Sequence, residues 1–322
     1  LLQRALTTAL ARVPAPPQRI AVALSGGMDS MALLHVANSP AFNATPLIAL
    51  HVDHGIHPAS AQWAARCADV AALLGVEFAS VRLDGLASGQ ANLEEKARQA
   101  RWAALARLAR RTGADLILTA HHAQDQAETV LLHLLRGTGL AGLGMSAQGD
   151  WHGVPVLRPW LAVPRSVIEQ YSRAAGLHWI EDPSNQDTSL RRNAVRLQLW
   201  PALEAVDERA LPSLLRFAAL ANESETLLDW FAQRELAPLL AADGKSLRWT
   251  PFSALPGAVQ CQLFRVWCKQ LGIRAPSRDR LLAMLQQLAG DSAYGLRCSH
   301  AGWQFWRQRG VVNAVRAKTS VD

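Results

Sequence analysis

Residues 20–36 read IAVALSGGMDSMALLHV, an apolar run that meets two glycines and passes at once into a helical pattern. Ile20–Leu24 is short, continuous and apolar, as a parallel strand covered on both faces must be. Gly26 and Gly27 lack a Cβ, so the backbone turns sharply there and a ligand can come close. Asp29 and Ser30 stand where the helix begins, and Met31, Leu33 and Leu34 continue it. Such a helix start presents unpaired N–H groups and the positive end of the helix dipole, which together hold an anion. A tight strand-to-helix turn with no ligand is the plain alternative, and SGG alone does not exclude it. The common phosphate loop is ruled out, since it needs four residues between its glycines and a Lys after the second. The first Lys here is Lys96.

Further apolar runs at Leu47–Val52, Phe78–Leu83 and Leu116–Thr119 alternate with helical patterns at Ser30–Ala37, Gln62–Leu74 and Leu93–Arg111. That alternation predicts an α/β fold, a doubly wound parallel sheet with ligands at the carboxyl ends of its strands. After Val154 the chain becomes Pro-punctuated and polar, and from near Trp200 it is largely helical. Periodicity continues over Arg216–Leu240, Ala258–Leu271 and Arg278–Leu288, and the final YGLRCSHAGWQFWRQRGVVNAV reads as short strands joined by Gly turns. A chain of 322 residues, half of them apolar, is expected to form two domains. The expected division is 1–200, carrying the nucleotide and the chemistry, and 201–322, smaller and mainly helical.

Composition limits the function classes. Cys67, Cys261, Cys268 and Cys298 are widely spaced with no C-x-x-C pair. That argues against a disulfide framework or a zinc or iron–sulfur site, and suits a reducing cytoplasm. No run of about 18 uncharged apolar residues occurs, so no membrane-spanning helix is expected. The opening LLQRALTTALARVPAPPQR reads better as an amphipathic helix and Pro-rich turn than as a transit segment. From Leu236 to Asp322 there are 12 Lys and Arg against 4 Asp and no Glu, a balance of +8, while the first 235 residues stand at −1. A basic terminal region suits a polyanionic partner, although composition alone can also produce it.

Three other stretches carry chemistry. LHVDHGIHPAS (50–60) places Asp53 and His54 in a strand exit; His51, His54 and His57 do not point one way, which argues against a metal cluster. TAHHAQDQAETVLLHLLRGTGLAGLGM (119–145) sets Asp125 and Glu128 at i, i+3 near a helix start, beside His122. Those carboxylates either complement the helix dipole or hold Mg²⁺ or a cationic substrate. Gly137, Gly139, Gly142 and Gly144 then suggest a mobile loop over the site, or simply a flexible helix exit. EDPSNQDTSLRRNAVR (181–196) puts Arg191, Arg192 and Arg196 on a helix, where they grip phosphates or pair with Glu181 or Asp182.

Taken in order across about 25–196, these strings resemble the tRNA(Ile)-lysidine synthetase family. They are SGGMDS, HVDHG, ANLEEKARQARW, H-H-x-x-D-Q-x-E-T, LLRGTGLAGLGM, RPWL and E-D-P-S-N-x-D-x-x-x-x-R-N-x-x-R. The resemblance implies a sheet of the adenine nucleotide alpha hydrolase (PP-loop) type. It implies ATP-dependent adenylation of the wobble cytidine C34 of tRNA(Ile) with a CAU anticodon, then ligation of L-lysine with release of AMP. It implies ATP contacts from Ser25, Gly26, Gly27, Met28, Asp29, Ser30, Asp53 and His54. Catalytic work falls to Asp29, His122, Asp125 and Glu128, with Mg²⁺ on Asp29 and Asp125. Arg98, Arg101, Arg191, Arg192 and Arg196 would meet tRNA. His57 stands where an Arg is expected, and Trp102 where a Tyr is expected. Oligomeric state is not readable; a homodimer is one option. Three rivals remain at this stage: a tRNA thiolase, which would need reactive Cys pairs; an amidating synthetase, which would not need a basic tail; and a non-catalytic nucleotide-binding module.

Overall fold

Alternation of side chains along each strand explains why the first sheet is covered on both faces. The computed structural model describes residues 1–53, 55, 59–83, 93–137, 142–290 and 296–317. Six strands, β1 (Ile20–Ala23), β2 (Leu47–Asp53), β3 (Glu77–Arg82), β4 (Leu116–Leu118), β5 (Gln148–Trp151) and β6 (Val154–Leu157), form one sheet in the order β3-β2-β1-β4-β6-β5. All neighbours are parallel except β5, which pairs antiparallel with β6. Ile20, Val22, Leu116 and Leu118 face one core with α1 (Leu2–Leu10), α2 (Met28–Ala37), α3 (Ser60–Leu73) and α6 (Arg165–Ala174). Ala21, Ile48, Leu50 and Ile117 face the other, closed by α4 (Leu93–Arg111). Strand order reverses at β1, between β2 and β4, so the crevice for a ligand opens beyond β1.

The β5–β6 hairpin is the part of this sheet that periodicity does not announce. Its strands are four residues each. His152 and Gly153 make the turn with φ of 53° and 83°, the left-handed pair that a two-residue hairpin needs. Asp150 accepts the Gly153 N–H at 2.7 Å.

Helix α5 (Ala123–Leu135) follows β4. The chain then passes through a short 3₁₀ turn (Pro183–Gln186), α7 (Arg191–Ala194), a π-helical turn (Val195–Leu199) and α8 (Trp200–Val206) into α9 (Ala210–Leu236). Two compact units emerge, Leu1–Asn222 and Glu223–Asp322, dividing within α9. That division lies 22 residues beyond the expected 200/201 boundary, because the start of α9 packs its Ala218 and Ala221 against Val130 and Leu143.

The second unit holds α10 (Trp249–Ser253), α11 (Gly257–Gln270) and α12 (Arg278–Ala289). Its four antiparallel strands, β7 (Leu247–Arg248), β8 (Leu296–His300), β9 (Trp303–Gln308) and β10 (Val311–Arg316), run in the order β7-β10-β9-β8. Phe252, Phe264, Trp267 and Phe305 form its aromatic centre. Trp249 and Trp267 are buried there, so they serve as core. Among the described residues no helix is long and apolar enough to cross a membrane.

Candidate active site

The loop after β1 is built to leave donors open. Gly27 caps α2 and has no side chain to satisfy the first-turn N–H groups. Ser30 Oγ donates to the Gly27 carbonyl at 2.9 Å and accepts the Ser25 N–H at 3.1 Å, while Ser25 Oγ lies 3.0 Å from Ser30 Oγ. This lacing makes the loop rigid before any ligand arrives. Gly26 has φ +88°, and a Cβ there would lie 2.7 Å from Ile180 Cδ1 and 3.2 Å from Cys67 Sγ. The Gly26 carbonyl accepts the Ile180 N–H at 2.9 Å, so the chain at 177–180 closes over the loop.

Asp29 lies just inside this helix start. Its Oδ1 is buried without a hydrogen-bond partner; Arg165 Nε is 3.9 Å away and His122 Nε2 is 3.7 Å from Oδ2. Burial raises the Asp29 carboxyl above its ordinary value, and His122 and Arg165 only partly offset this. One hard, unsatisfied oxygen beside a phosphate loop suits Mg²⁺, which takes one or two carboxylates and completes its shell with substrate phosphates and water. Among the described residues no group of three or more His, Cys, Asp or Glu is arranged to hold a metal with protein ligands alone.

At the start of α5 the acidic pair is already engaged. His122 and Asp125 form a capping box: the Asp125 N–H meets His122 Nδ1 at 3.4 Å and the His122 N–H meets Asp125 Oδ2 at 3.1 Å. An accepting Nδ1 directs the ring's Nε2–H toward Asp29 and Asp125, whose Oδ2 atoms lie 3.7 and 3.4 Å away. Arg192 reaches Asp125 through Nη2 and Glu128 through Nε, both at 2.8 Å. Arg196 reaches Glu128 through Nε at 2.6 Å and Nη2 at 3.0 Å. Burial would raise the Asp125 carboxyl, but His122, Arg192 and His121 outweigh it and hold the group well below the usual range. Burial likewise pulls both guanidinium groups down, and the two carboxylates more than reverse it.

Arg192 and Arg196 therefore pair with the acidic helix, and not with Glu181 or Asp182. Their head groups are not free for phosphates in this state. The π turn at Val195–Leu199 contains Arg196, and Asn193 anchors the same segment by donating to the Ser184 and Asp187 carbonyls at 2.8 and 2.9 Å. Arg191 is exposed beside Leu132 and Leu135.

The remaining expected residues are spread around this centre. Asp53 accepts the Gly55 N–H at 2.8 Å; burial opposes ionisation, yet this bond, Ser60 and Arg82 hold the carboxyl low. His51 Nδ1 sits 2.8 Å from the Leu24 carbonyl and the ring stacks near Phe78, a structural role. His54, His57 and Gly139 lie outside the described residues. Arg98 is exposed on α4, whereas Arg101 turns inward with its guanidinium 4.7 Å from the Trp102 ring centre. Burial, then Arg192 and Arg98, push Arg101 down to about 10, which still leaves it charged at neutral pH.

Sequence reasoning missed two groups of note. Gln126 donates to the Met145 carbonyl at 2.9 Å and accepts the Met145 N–H at 2.7 Å, fixing the exit of the Gly-rich stretch as a strand neighbour would. Arg165 faces Asp29 from α6, a helix that periodicity did not single out.

Comparison with known proteins gives the family. Residues 2–203 fit the model of the PP-loop domain, and residues 247–312 that of the TilS substrate binding domain. A tRNA(Ile)-lysidine synthase of Ralstonia nicotianae is 42% identical over 96% of this chain and 67% of its own length. One of Burkholderia mallei is 41% identical over 93% of this chain and 62% of its own. The chain thus spans about two thirds or less of these relatives' lengths. The solved U34-tRNA thiolase NcsA from Methanococcus maripaludis superposes with a TM-score of 0.56 at 19% identity, over 69% of this chain and 78% of that one, a likeness of fold. With an open-ended phosphate loop beside a buried carboxylate–arginine centre, and with both models matched in order, this chain belongs to the tRNA(Ile)-lysidine synthase family of PP-loop proteins.

Proposed function

We propose that this chain uses ATP to adenylate the wobble cytidine C34 of a tRNA(Ile) with a CAU anticodon and then joins L-lysine to it, forming lysidine in the cytoplasm. The observation that carries the reading is the Ser25–Ser30 loop, with uncapped helix donors, set beside the Asp125–Glu128 pair and its two arginines. In the first step the cytidine O2 attacks the α-phosphorus and the bond to pyrophosphate breaks. Negative charge grows on the leaving pyrophosphate, which the uncapped first-turn N–H groups of α2 would stabilise where it develops. Bound Mg²⁺ would neutralise the same charge, held by Asp29 and by Asp125 once Arg192 lets go.

In the second step the lysine ε-amine attacks C2 and AMP leaves. The amine must shed a proton, and Glu128 is the acceptor within this centre. Glu128 is only 3% exposed, with both oxygens on arginines. An incoming ammonium therefore competes with Arg192 and Arg196 for the carboxylate, and the displaced arginines become available to RNA phosphates. His122 orients Asp29 and Asp125 through Nε2. Arg98, Arg101 and Arg191 are the further RNA contacts of this reading, and the basic 223–322 unit supplies affinity.

The test follows AMP, pyrophosphate, adenylated tRNA and lysidine separately in single turnovers, with tRNA or lysine omitted in turn. Pyrophosphate release should require tRNA, and AMP release should require lysine as well. AMP formation with neither present would refute the assignment.

A further inference from the structure

The RPWL string has no role in the chemistry above, yet it walls a cleft of about 810 Å³ in the first unit. Arg158 and Pro159 follow β6, so the cleft opens at the carboxyl edge of the parallel sheet, on the side where ligands of such sheets bind. Its opposite wall is α1 and the residues just after it, docked by Leu2 and Leu6 in the core and by the Trp160 indole N–H on the Leu2 carbonyl at 3.2 Å. Arg4 and Thr8 line the cleft one turn apart on α1, and Arg12 lines it from the turn that follows the helix.

Charge is one-sided here. Arg4, Arg12 and Arg158 line the cleft and no Asp or Glu does. Arg4 and Arg12 are exposed and make no ion pair among the described residues. Arg158 spends one nitrogen on the Ser146 carbonyl at 2.7 Å and stacks on Trp151, but its Nε is buried with no partner. Gln126 and Met145 form part of the inner wall.

We infer that this cleft is a phosphodiester-binding groove, in which Arg4 and Arg12 hold successive parts of the RNA backbone and Arg158 takes a phosphate at the inner end. The inference rests on the tRNA reading of the preceding subsection and adds a surface to it on α1, far in sequence from the basic C-terminal region. Spaced guanidinium groups suit repeated phosphates, which they bind by charge and forked hydrogen bonds.

The variant is Arg4→Glu with Arg12→Glu in the full chain, both side chains being exposed. Binding of a tRNA(Ile) transcript is measured across salt concentrations, alongside the KM for ATP. Affinity should fall about tenfold or more, and the slope of log K against log salt should flatten by about 1.4–1.8, corresponding to two lost phosphate contacts. The KM for ATP should not move. Arg66→Glu with Arg111→Glu, at exposed positions outside the cleft, controls for net charge; an equal loss there overturns the groove. Unchanged affinity and slope in a wild type that binds tRNA and makes lysidine also overturns it. A raised KM for ATP with tRNA affinity intact assigns the cleft to nucleotide phosphates and overturns the RNA inference. A wild type that neither binds tRNA nor forms lysidine refutes the underlying function instead.

Discussion

The two compact units bury different kinds of side chain. Among the described residues the first buries Asp53 and Glu128, two histidines, Gln126 and Asn193, whereas the second buries a single polar side chain, Ser246. The second unit is held by Phe252, Phe264, Trp267 and Phe305 around α11, and its charges lie mostly outside. Buried charge is expensive unless fully paired, and apolar packing of similar volume is commonly as stable or better. His51 and Asp53 lie on β2, and His122, Gln126 and Glu128 lie at or in the first half of α5 after β4, so these groups gather near the carboxyl ends of the parallel strands, where ligands of such sheets bind. The same loop geometry with an apolar interior would fold but would have nothing to activate a substrate.

The largest effect expected from breaking this contrast is on stability at the paired centre. Glu128→Ala leaves Arg196 and part of Arg192 without a carboxylate and should cost about 3–5 kcal/mol in denaturant unfolding of the first unit. Glu128→Met combined with Arg196→Met should recover much of that loss while lysine transfer stays abolished. A double variant no more stable than the single one would show that the pair contributes more than mutual neutralisation.

Next is Asp29→Asn, which should lower pyrophosphate release by at least about 10²–10³-fold. The same change should raise Tm by about 2–4 °C, because it removes a buried charge that His122 and Arg165 only partly compensate. Burial raises the folded-state value of this carboxyl, so its cost is full above that value and disappears below the unfolded value near 3.9. The Tm advantage of the variant should therefore shrink as pH falls toward 4. Asp125 behaves in the opposite sense: its folded value is depressed, so it contributes stability at neutral pH that is lost as the solution is acidified below the ordinary carboxylate range. An advantage for Asp29→Asn that grows on acidification would contradict the assignment.

A smaller change probes the apolar unit. Ile273→Val trims one methylene from a buried position and should cost about 0.5–1.5 kcal/mol, equal at pH 6 and pH 8, without altering the KM for ATP. The smallest effect concerns the thiols. Burial pushes Cys67 and Cys268 up to about 12 and Cys298 up to about 11. Iodoacetamide at pH 8 should accordingly label Cys261 ahead of the other three by mass spectrometry. Cys261→Ser should alter turnover by less than about twofold, consistent with roughly 0.5 kcal/mol for a change away from buried features. Rapid labelling of Cys67 in the folded protein would reopen the thiolase alternative.

Local pattern carried most of the fold. β1, β2, β3 and β4 and the helices between them lie where the apolar runs and helical spacing place them, because periods of 2 and 3.6 are properties of a short window. The β5–β6 hairpin did not show, since four-residue strands, one of them carrying Pro155 inside it, are too short to establish a period. In the site, SGGMDS specified much of its own geometry because the hydrogen bonds that lace the loop are made within residues 25–30, apart from the one Ile180 donates to Gly26. The i, i+3 spacing likewise placed Asp125 and Glu128 on one helix face.

The sequence by itself thus determined a phosphate loop at the end of a buried strand, an α/β sheet around it and two carboxylates one helical turn apart. Tertiary structure alone decided what those carboxylates meet. Arg192 and Arg196 lie 64 and 68 residues from Glu128, and nothing in either segment encodes the other. Pairing depends on the π turn and the Asn193 anchor that carry residues 191–196 across α5. A charge near a helix start is readable from its neighbours in the chain, whereas its partner is chosen by the path that brings distant segments together, and there the low dielectric makes that choice decisive.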